Sequence, residues 1–245
     1  PGPVSSDFQA SRTFDDFSPR INFAYQLNDD ASVYAGYSQG FKAGSFDPRG
    51  QNIRIPEAAD GFEPETLDSY EVGYKATFLD GKARTNIAVF FSDYRDVQIP
   101  GSLGVDDNGD GIFEDFVGSV QNAGAAEILG LEFEGSWLIS DHWTAQLSFS
   151  LLDAEYTEFL VIDPVSGEFI DISDDRAIQN TPETMAYLGL TYDTELFNGR
   201  LMINGNLSHR GDIVQFEAPA PIIDQEAYTL YNLSAVWISD DNRWS

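Results

Sequence analysis

Ser69-Tyr70-Glu71-Val72-Gly73-Tyr74-Lys75-Ala76-Thr77-Phe78 alternates without a break. Tyr70, Val72, Tyr74, Ala76 and Phe78 fall on one side, and Ser69, Glu71, Gly73, Lys75 and Thr77 on the other. A period of two predicts a β-strand with one apolar and one polar face. The same alternation recurs along the chain. Ile21, Phe23, Tyr25 and Leu27 alternate with Asn22, Ala24 and Gln26, and Ile87, Val89 and Phe91 with Asn86, Ala88 and Ser92. Leu129, Leu131, Phe133 and Trp137 alternate with Gly130, Glu132, Glu134 and Ser136. Trp143 to Ser150, Leu201 to Ser208 and Tyr231 to Trp237 behave alike, and Ala31–Gly40 and Thr184–Tyr192 are compatible. The expectation is about nine strands and no helix.

The connections order these strands. Five are short: Asn28-Asp29-Asp30, Asp80-Gly81, Ser140-Asp141-His142, Asn198-Gly199 and Asp240-Asp241-Asn242. Asp-Gly and Asn-Gly tolerate the positive φ of tight hairpin turns. Between them lie long polar connections at about 41–67, 96–124, 160–183 and 210–227. Short and long alternate strictly. A soluble sandwich has no reason to gather its long loops at one end. An antiparallel transmembrane β-barrel does, with short periplasmic turns and long extracellular loops.

Composition agrees with that architecture. Hydrophobic residues make up 42% of the 245 residues, and mean hydropathy is −0.26. No run approaches the roughly 18 apolar residues of a transmembrane helix. In a barrel only every second residue meets lipid, so the average reads as soluble. Aromatics (Phe 18, Tyr 11, Trp 4) suit interfacial girdles. The absence of cysteine excludes disulfides and thiolate chemistry. A net charge of −28 with only 13 Lys and Arg excludes nucleic acid as a partner. Pro1-Gly2-Pro3 carries no signal-peptide pattern, so for an exported protein the signal is expected upstream. Glu71, Lys75, Glu132, Glu134, Gln146, Asn204, Asn206 and Asn232 are expected to face a wide, wet lumen.

Several ordered segments carry a family resemblance. Tyr37-Ser38-Gln39-Gly40-Phe41-Lys42-Ala43-Gly44 precedes Pro64-Glu65-Thr66-Leu67-Asp68-Ser69-Tyr70-Glu71-Val72-Gly73. Asn122-Ala123-Gly124 precedes Gly130-Leu131-Glu132-Phe133-Glu134, and Asn180-Thr181-Pro182 introduces a later strand. Together they resemble the C-terminal barrel of TonB-dependent receptors, over nearly the whole chain. The resemblance implies a fragment of a barrel of about 22 strands, here nine to ten of them, located in the outer membrane of a Gram-negative bacterium. It implies that the N-terminal plug and the last strands are absent from residues 1–245. The implied partners are outer-membrane lipid, the protein's own plug domain, TonB, and a small-molecule or metal-chelate substrate. The implied activity is import of a scarce nutrient such as a ferric siderophore, cobalamin or oligosaccharide, with no enzymatic step.

One local motif points to a metal. Asp106, Asn108 and Asp110 take positions 1, 3 and 5 of a calcium loop, with Gly111 at the turn and the Ile112 carbonyl at position 7. Position 12 is Val117 rather than Glu, so Glu114 or Asp115 would have to substitute. The alternative is an Asp/Gly-rich surface loop. Phe46, Phe62, Phe113, Phe116 and Phe216 are either substrate contacts or loop packing. Lys42, Arg49 and Arg54 form a small basic group on the loop side. His209 beside Asp212 allows a small-barrel hydrolase as a distant alternative, with a passive porin or a soluble all-β binding module as others.

Overall fold

The computed structural model describes residues 7–53, 56–105, 115–163, 166 and 168–244. The strands are β1 Arg20–Asn28, β2 Ala31–Lys42, β3 Glu65–Phe78, β4 Ala83–Val105, β5 Asp115–Leu138, β6 Trp143–Ile162, β7 Phe169–Asp171, β8 Thr184–Glu195, β9 Gly199–Arg210 and β10 Tyr228–Ser239. They form one antiparallel sheet in the order β1-β2-β3-β4-β5-β6-β8-β9-β10, with β7 paired to the far end of β6. Each of the nine expected strands is present. Among the described residues the only helices are single 3-10 turns at Pro56–Ala59 and Ser173–Asp175, and no helix is long and apolar enough to cross a membrane.

Register turns nine separate alternations into one surface. Phe23 lies opposite Ala35, Ala35 opposite Val72, Val72 opposite Val89, and Val89 opposite Leu131. The row continues from Leu131 to Leu151, and a second row, two steps closer to the turns on the same face, runs from Leu147 through Leu188 and Leu207 to Tyr231. This face is bare: Phe23 is 72% exposed, Val72 62% and Leu233 80%. Aromatic rings mark its turn end, with Trp143 and Tyr192 4.9 Å apart and Trp137 and Trp237 on the same face. At the loop end Tyr37 and Tyr70 stack at 5.1 Å. One step beyond, Asp68, Asp93, Glu127 and Glu155 stand opposite one another across four strands. Like charges so placed repel. Arg95 bonds both Asp68 and Asp93 at 2.8 Å and offsets part of that cost. Carboxylates at this height end the apolar band.

Three features depart from the sequence reading. The expected 96–124 loop is mostly strand, because β4 and β5 stay paired from Val97–Gly124 out to Val105–Asp115. The ladder survives there through bulges, where Asp96 takes φ 55° and the pairing shifts between Tyr94 and Gln98. Bulges break the period-two pattern that would have revealed the strands. The β8–β9 turn is displaced by one residue. Leu196 N–H donates to the Gly199 carbonyl at 2.8 Å, so Phe197 and Asn198 are the central pair, both at positive φ, and Gly199 opens β9. Finally, β7 lies within the expected 160–183 loop.

Candidate functional site

The polar face carries a charged patch at mid-sheet. Ser32, Lys75, Asn86, Glu134 and Ser148 stand in one cross-strand row. Gly36 and Glu71 pair on the row toward the loops, and Glu132 faces Ala88 and Ser150. Tyr34 shares a hydrogen bond with Glu71, and the Lys75 ammonium sits 5.0 Å over the Tyr34 ring. A cavity of about 410 Å3 touches Lys75, Arg84, Asn86 and Glu134. Asn86 Oδ1, in that lining, and Ser150 Oγ, opposite Glu132, are buried without a partner. Buried polar atoms of this kind ordinarily find a partner. Three carboxylates around one lysine leave the patch acidic.

Two glycines shape the wall beside this patch. A Cβ at Gly73 would lie 2.2 Å from the Tyr34 ring, and one at Gly130 2.2 Å from the Phe90 ring. Each ring therefore lies flat on the neighbouring strand, across a space that any side chain would fill. Phe90 is an aromatic residue on the polar face, which the alternation did not single out.

At the loop end the motif residues lock together. Asn122 Oδ1 accepts from Glu63 N–H at 2.7 Å, while its Nδ2 donates to the carbonyls of Glu63 (2.8 Å) and Asp96 (2.9 Å). Gln98 Nε2 donates to the carbonyls of Ala43 (3.1 Å) and Glu63 (3.0 Å), and its N–H donates to Glu65 Oε2 at 2.9 Å. Lys42 pairs with Glu65 at 3.2 Å. The Phe41–Gly44, Glu63–Glu65 and Asn122–Gly124 segments thus form one junction, joining the 43–64 connection to the base of the long β4–β5 hairpin.

A second cluster stands across the same end. Tyr156 pairs with Ala126, on the same side of the sheet as Glu132 and Ser150, so it is on the polar face. Phe159, 4% exposed, meets Tyr156 edge-on at 5.1 Å, and the Arg176 guanidinium lies 5.5 Å from the Phe159 ring centre. A cavity of about 210 Å3 opens beside them, also lined by Gln121 and Glu217. These residues come from four distant segments. No sequence spacing joins them.

The sequence candidates divide as follows. Asp106, Asn108, Asp110, Ile112 and Glu114 lie outside the described residues, as do Phe113 and Arg54; Asp115 opens β5. Among the described residues no group of three or more His, Asp or Glu side chains is placed to hold a metal. Lys42 is taken up by Glu65, and Arg49 by Asp47 at 2.8 Å, so these two do not present free positive charge. The Arg49 guanidinium holds the Asp47 carboxyl below the usual range, against the burial that pushes it up. Phe46 packs edge-on against Phe8 at 6.0 Å, and the Phe62 backbone pairs with that of Ser45. Phe216 is exposed. His209 shares a hydrogen bond with Thr229 Oγ1 at 3.0 Å, while Asp212 accepts from Ala227 N–H. The two do not form a His–Asp pair.

Comparison with known proteins agrees with this geometry. The family model described as TonB dependent receptor-like, beta-barrel matches residues 2–245. The pesticin receptor of Yersinia enterocolitica is 28% identical over 142 residues, 56% of this chain and 18% of that protein. The ferripyoverdine receptor of Pseudomonas aeruginosa is 34% identical over 74 residues, 30% of this chain and 8% of that protein. The crystal structure of the ferric yersiniabactin uptake receptor from Yersinia pestis superposes with a TM-score of 0.63 at 19% identity, over 89% of this chain and 29% of that one. The ferric preacinetobactin receptor from Acinetobacter baumannii gives 0.62 at 19% identity, over 91% and 29%. The chain therefore spans less than a third of the length of these relatives.

Proposed function

The chain belongs to the TonB dependent receptor-like β-barrel family, and from that premise we propose that it forms part of the wall of an outer-membrane active transporter importing a scarce nutrient, with a ferric siderophore as the leading candidate. The observation that carries the reading is the two-faced sheet. A continuous apolar band runs across nine strands and ends at carboxylates on the loop side. The opposite face is polar and holds an incompletely partnered acidic patch. Such a wall is stable with lipid on one side and water or another protein layer on the other. The acidic patch suits the basic side chains of a plug domain filling the lumen. The names of three of these relatives support iron-chelate uptake.

The test uses the full-length receptor in cells. Uptake of radioactive iron from a panel of ferric chelates is measured with and without TonB, and with the proton gradient collapsed. Saturable uptake that needs both supports active transport. Flux that rises linearly with concentration and ignores TonB would leave a passive porin. An outer-membrane protein no longer than this chain would leave a small complete barrel.

A further inference from the structure

We propose that Leu79 and Phe197, at the tips of two short turns, insert into the headgroup layer of the adjacent phospholipid leaflet and fasten the turn end of the wall to the membrane; this rests on the membrane-wall reading above. Both turns read apolar–apolar–Asp/Asn–Gly–basic: Phe78-Leu79-Asp80-Gly81-Lys82 and Leu196-Phe197-Asn198-Gly199-Arg200. Asp-Gly and Asn-Gly are the pairs that suit the left-handed centre of a hairpin turn. In neither turn does that pair carry the left-handed backbone alone. Leu79 and Asp80 both take φ 55°, and Phe197 and Asn198 take φ 56° and 53°. The bulky residue thus stands one place ahead of the Asp or Asn, in a conformation that its Cβ disfavours. The sheet enforces this placement, because sliding either hairpin by one residue would turn its apolar side chains to the lumen. Register explains the strain but not the choice of residue. Glycine would hold the same φ without strain, and a polar tip would suit water. Instead Leu79 is 60% and Phe197 81% exposed. A strained backbone kept at a bare apolar side chain points to a contact outside the chain.

Both tips lie close to the aromatic row. Phe78 pairs with Ala83 and Ala83 with Trp137, so Leu79 is one residue beyond the level of Trp137. Trp237 pairs with Leu201 and Leu201 with Thr194, so Phe197 is three residues beyond the level of Trp237. Three residues at about 3.3 Å each and a tilt of about 40° span a height of roughly 8 Å. The headgroup layer outside the hydrocarbon core is about 5–8 Å deep on each side. Trp237 also ties the second tip to the lipid-facing side. Its indole N–H donates to the Leu196 carbonyl at 2.8 Å. Its ring crosses Gly199, where a Cβ would lie 2.6 Å from it. Lys82 and Arg200 follow the two tips in a chain of 41 acidic and 13 basic residues. Arg200 is taken up by Asp193. Lys82 is exposed and suits a lipid phosphate, with its stem along the apolar tip and its ammonium in water. The β5–β6 turn, which lies between these two in the sheet, has the polar tip Ser140-Asp141-His142 and offers no such contact.

The test uses the full-length receptor, free of other cysteines, refolded into vesicles of phosphatidylethanolamine and phosphatidylglycerol. A nitroxide is attached in turn to Leu79→Cys, Phe197→Cys, Asp141→Cys and Leu131→Cys. Its collisions with oxygen, which concentrates in lipid, are compared with those with a water-soluble nickel chelate. The oxygen-to-nickel ratio should be several-fold higher at positions 79 and 197 than at 141, and highest at 131. Ratios at 79 and 197 no higher than at 141, with 131 high, overturn the proposal and leave the wall in the membrane. A ratio at 131 as low as at 141 overturns the membrane-wall reading together with the proposal. A second measurement carries no label. In a guanidinium titration of the vesicle-bound receptor, Phe197→Gly should unfold at lower denaturant and Phe197→Leu close to wild type. A glycine variant as stable as wild type, or more stable, means that no lipid contact offsets the strain, and it overturns the proposal.

Discussion

Placing an arginine at Leu131 tests the assignment of faces most directly. On β5, Trp137 belongs to the aromatic row at the turn end, and Glu127 to the carboxylate row at the loop end. The ten-residue step between them, at about 3.3 Å per residue and a tilt of about 40°, gives a height of roughly 25 Å, matching the apolar band of outer-membrane barrels. Leu131 then lies within a few ångströms of the midplane. An arginine there costs about 2–4 kcal/mol, falling to about 0–1 near the interfaces. Its neighbour Glu132 points to the other face, so Glu132→Arg carries no lipid penalty. The full-length receptor is refolded into phospholipid vesicles and titrated with guanidinium, following tryptophan emission. Leu131→Arg should lower stability by about 2–4 kcal/mol, and Glu132→Arg by clearly less. Equal costs, or the reverse order, would refute the assignment of faces and with it the transmembrane reading.

Other outcomes follow from single contacts. Gly130→Val should destabilise the barrel by about 1–3 kcal/mol through overpacking against Phe90, and adding Phe90→Ala should return part of that; a null result in the same titration would mean the ring is not held on the wall. Asn122→Ala removes four hydrogen bonds of the loop-end junction, so amide exchange in the 43–64 connection should speed up while the β8–β9 hairpin stays protected. Asp47 has a lowered pKa through Arg49, so its stabilisation is fully present above the ordinary carboxylate range and is lost as pH falls through its lowered value. Proteolysis of the 43–64 segment should therefore rise on acidification below the ordinary carboxylate range, and Asp47→Asn should flatten that rise.

How much of this was legible in the sequence depended on whether one residue's neighbours decide its place. Ser69–Phe78 could be read because lipid and lumen impose opposite demands on alternate residues. Beyond the apolar band that demand ends, and the upper half of the β4–β5 hairpin, with Pro100, Gly101 and Gly104, reads as loop although it is paired throughout. The Gly73 and Gly130 motifs were recognisable as patterns, but their cause was not, since Tyr34 and Phe90 reach them from other strands. The basic group expected at Lys42 and Arg49 was a count of charges without partners assigned. Asp47 and Glu65 consume both. The Phe159–Arg176 stack joins residues on separate segments, so only the register and the stitched loops bring it into being.

What separates a membrane wall from an ordinary sheet here is extent rather than hydrophobicity. Single exposed apolar residues are common on any protein, and soluble monomers rarely expose a patch above a few hundred Å2. In this sheet the apolar positions sit opposite one another on every strand from β1 to β10, leaving aside β7, and most of those strands carry exposed ones, while those of β9 are half-buried. A soluble two-sheet sandwich would cover such a face with a second apolar sheet, and no second layer lies over it among the described residues. The carboxylate row Asp68–Asp93–Glu127–Glu155 argues the same way. Asp68 is already buried against Arg95, but Glu127 and Glu155 are exposed; a protein layer packed on this face would have to bury those two charges at a cost of several kcal/mol each, whereas a bilayer edge leaves them in water.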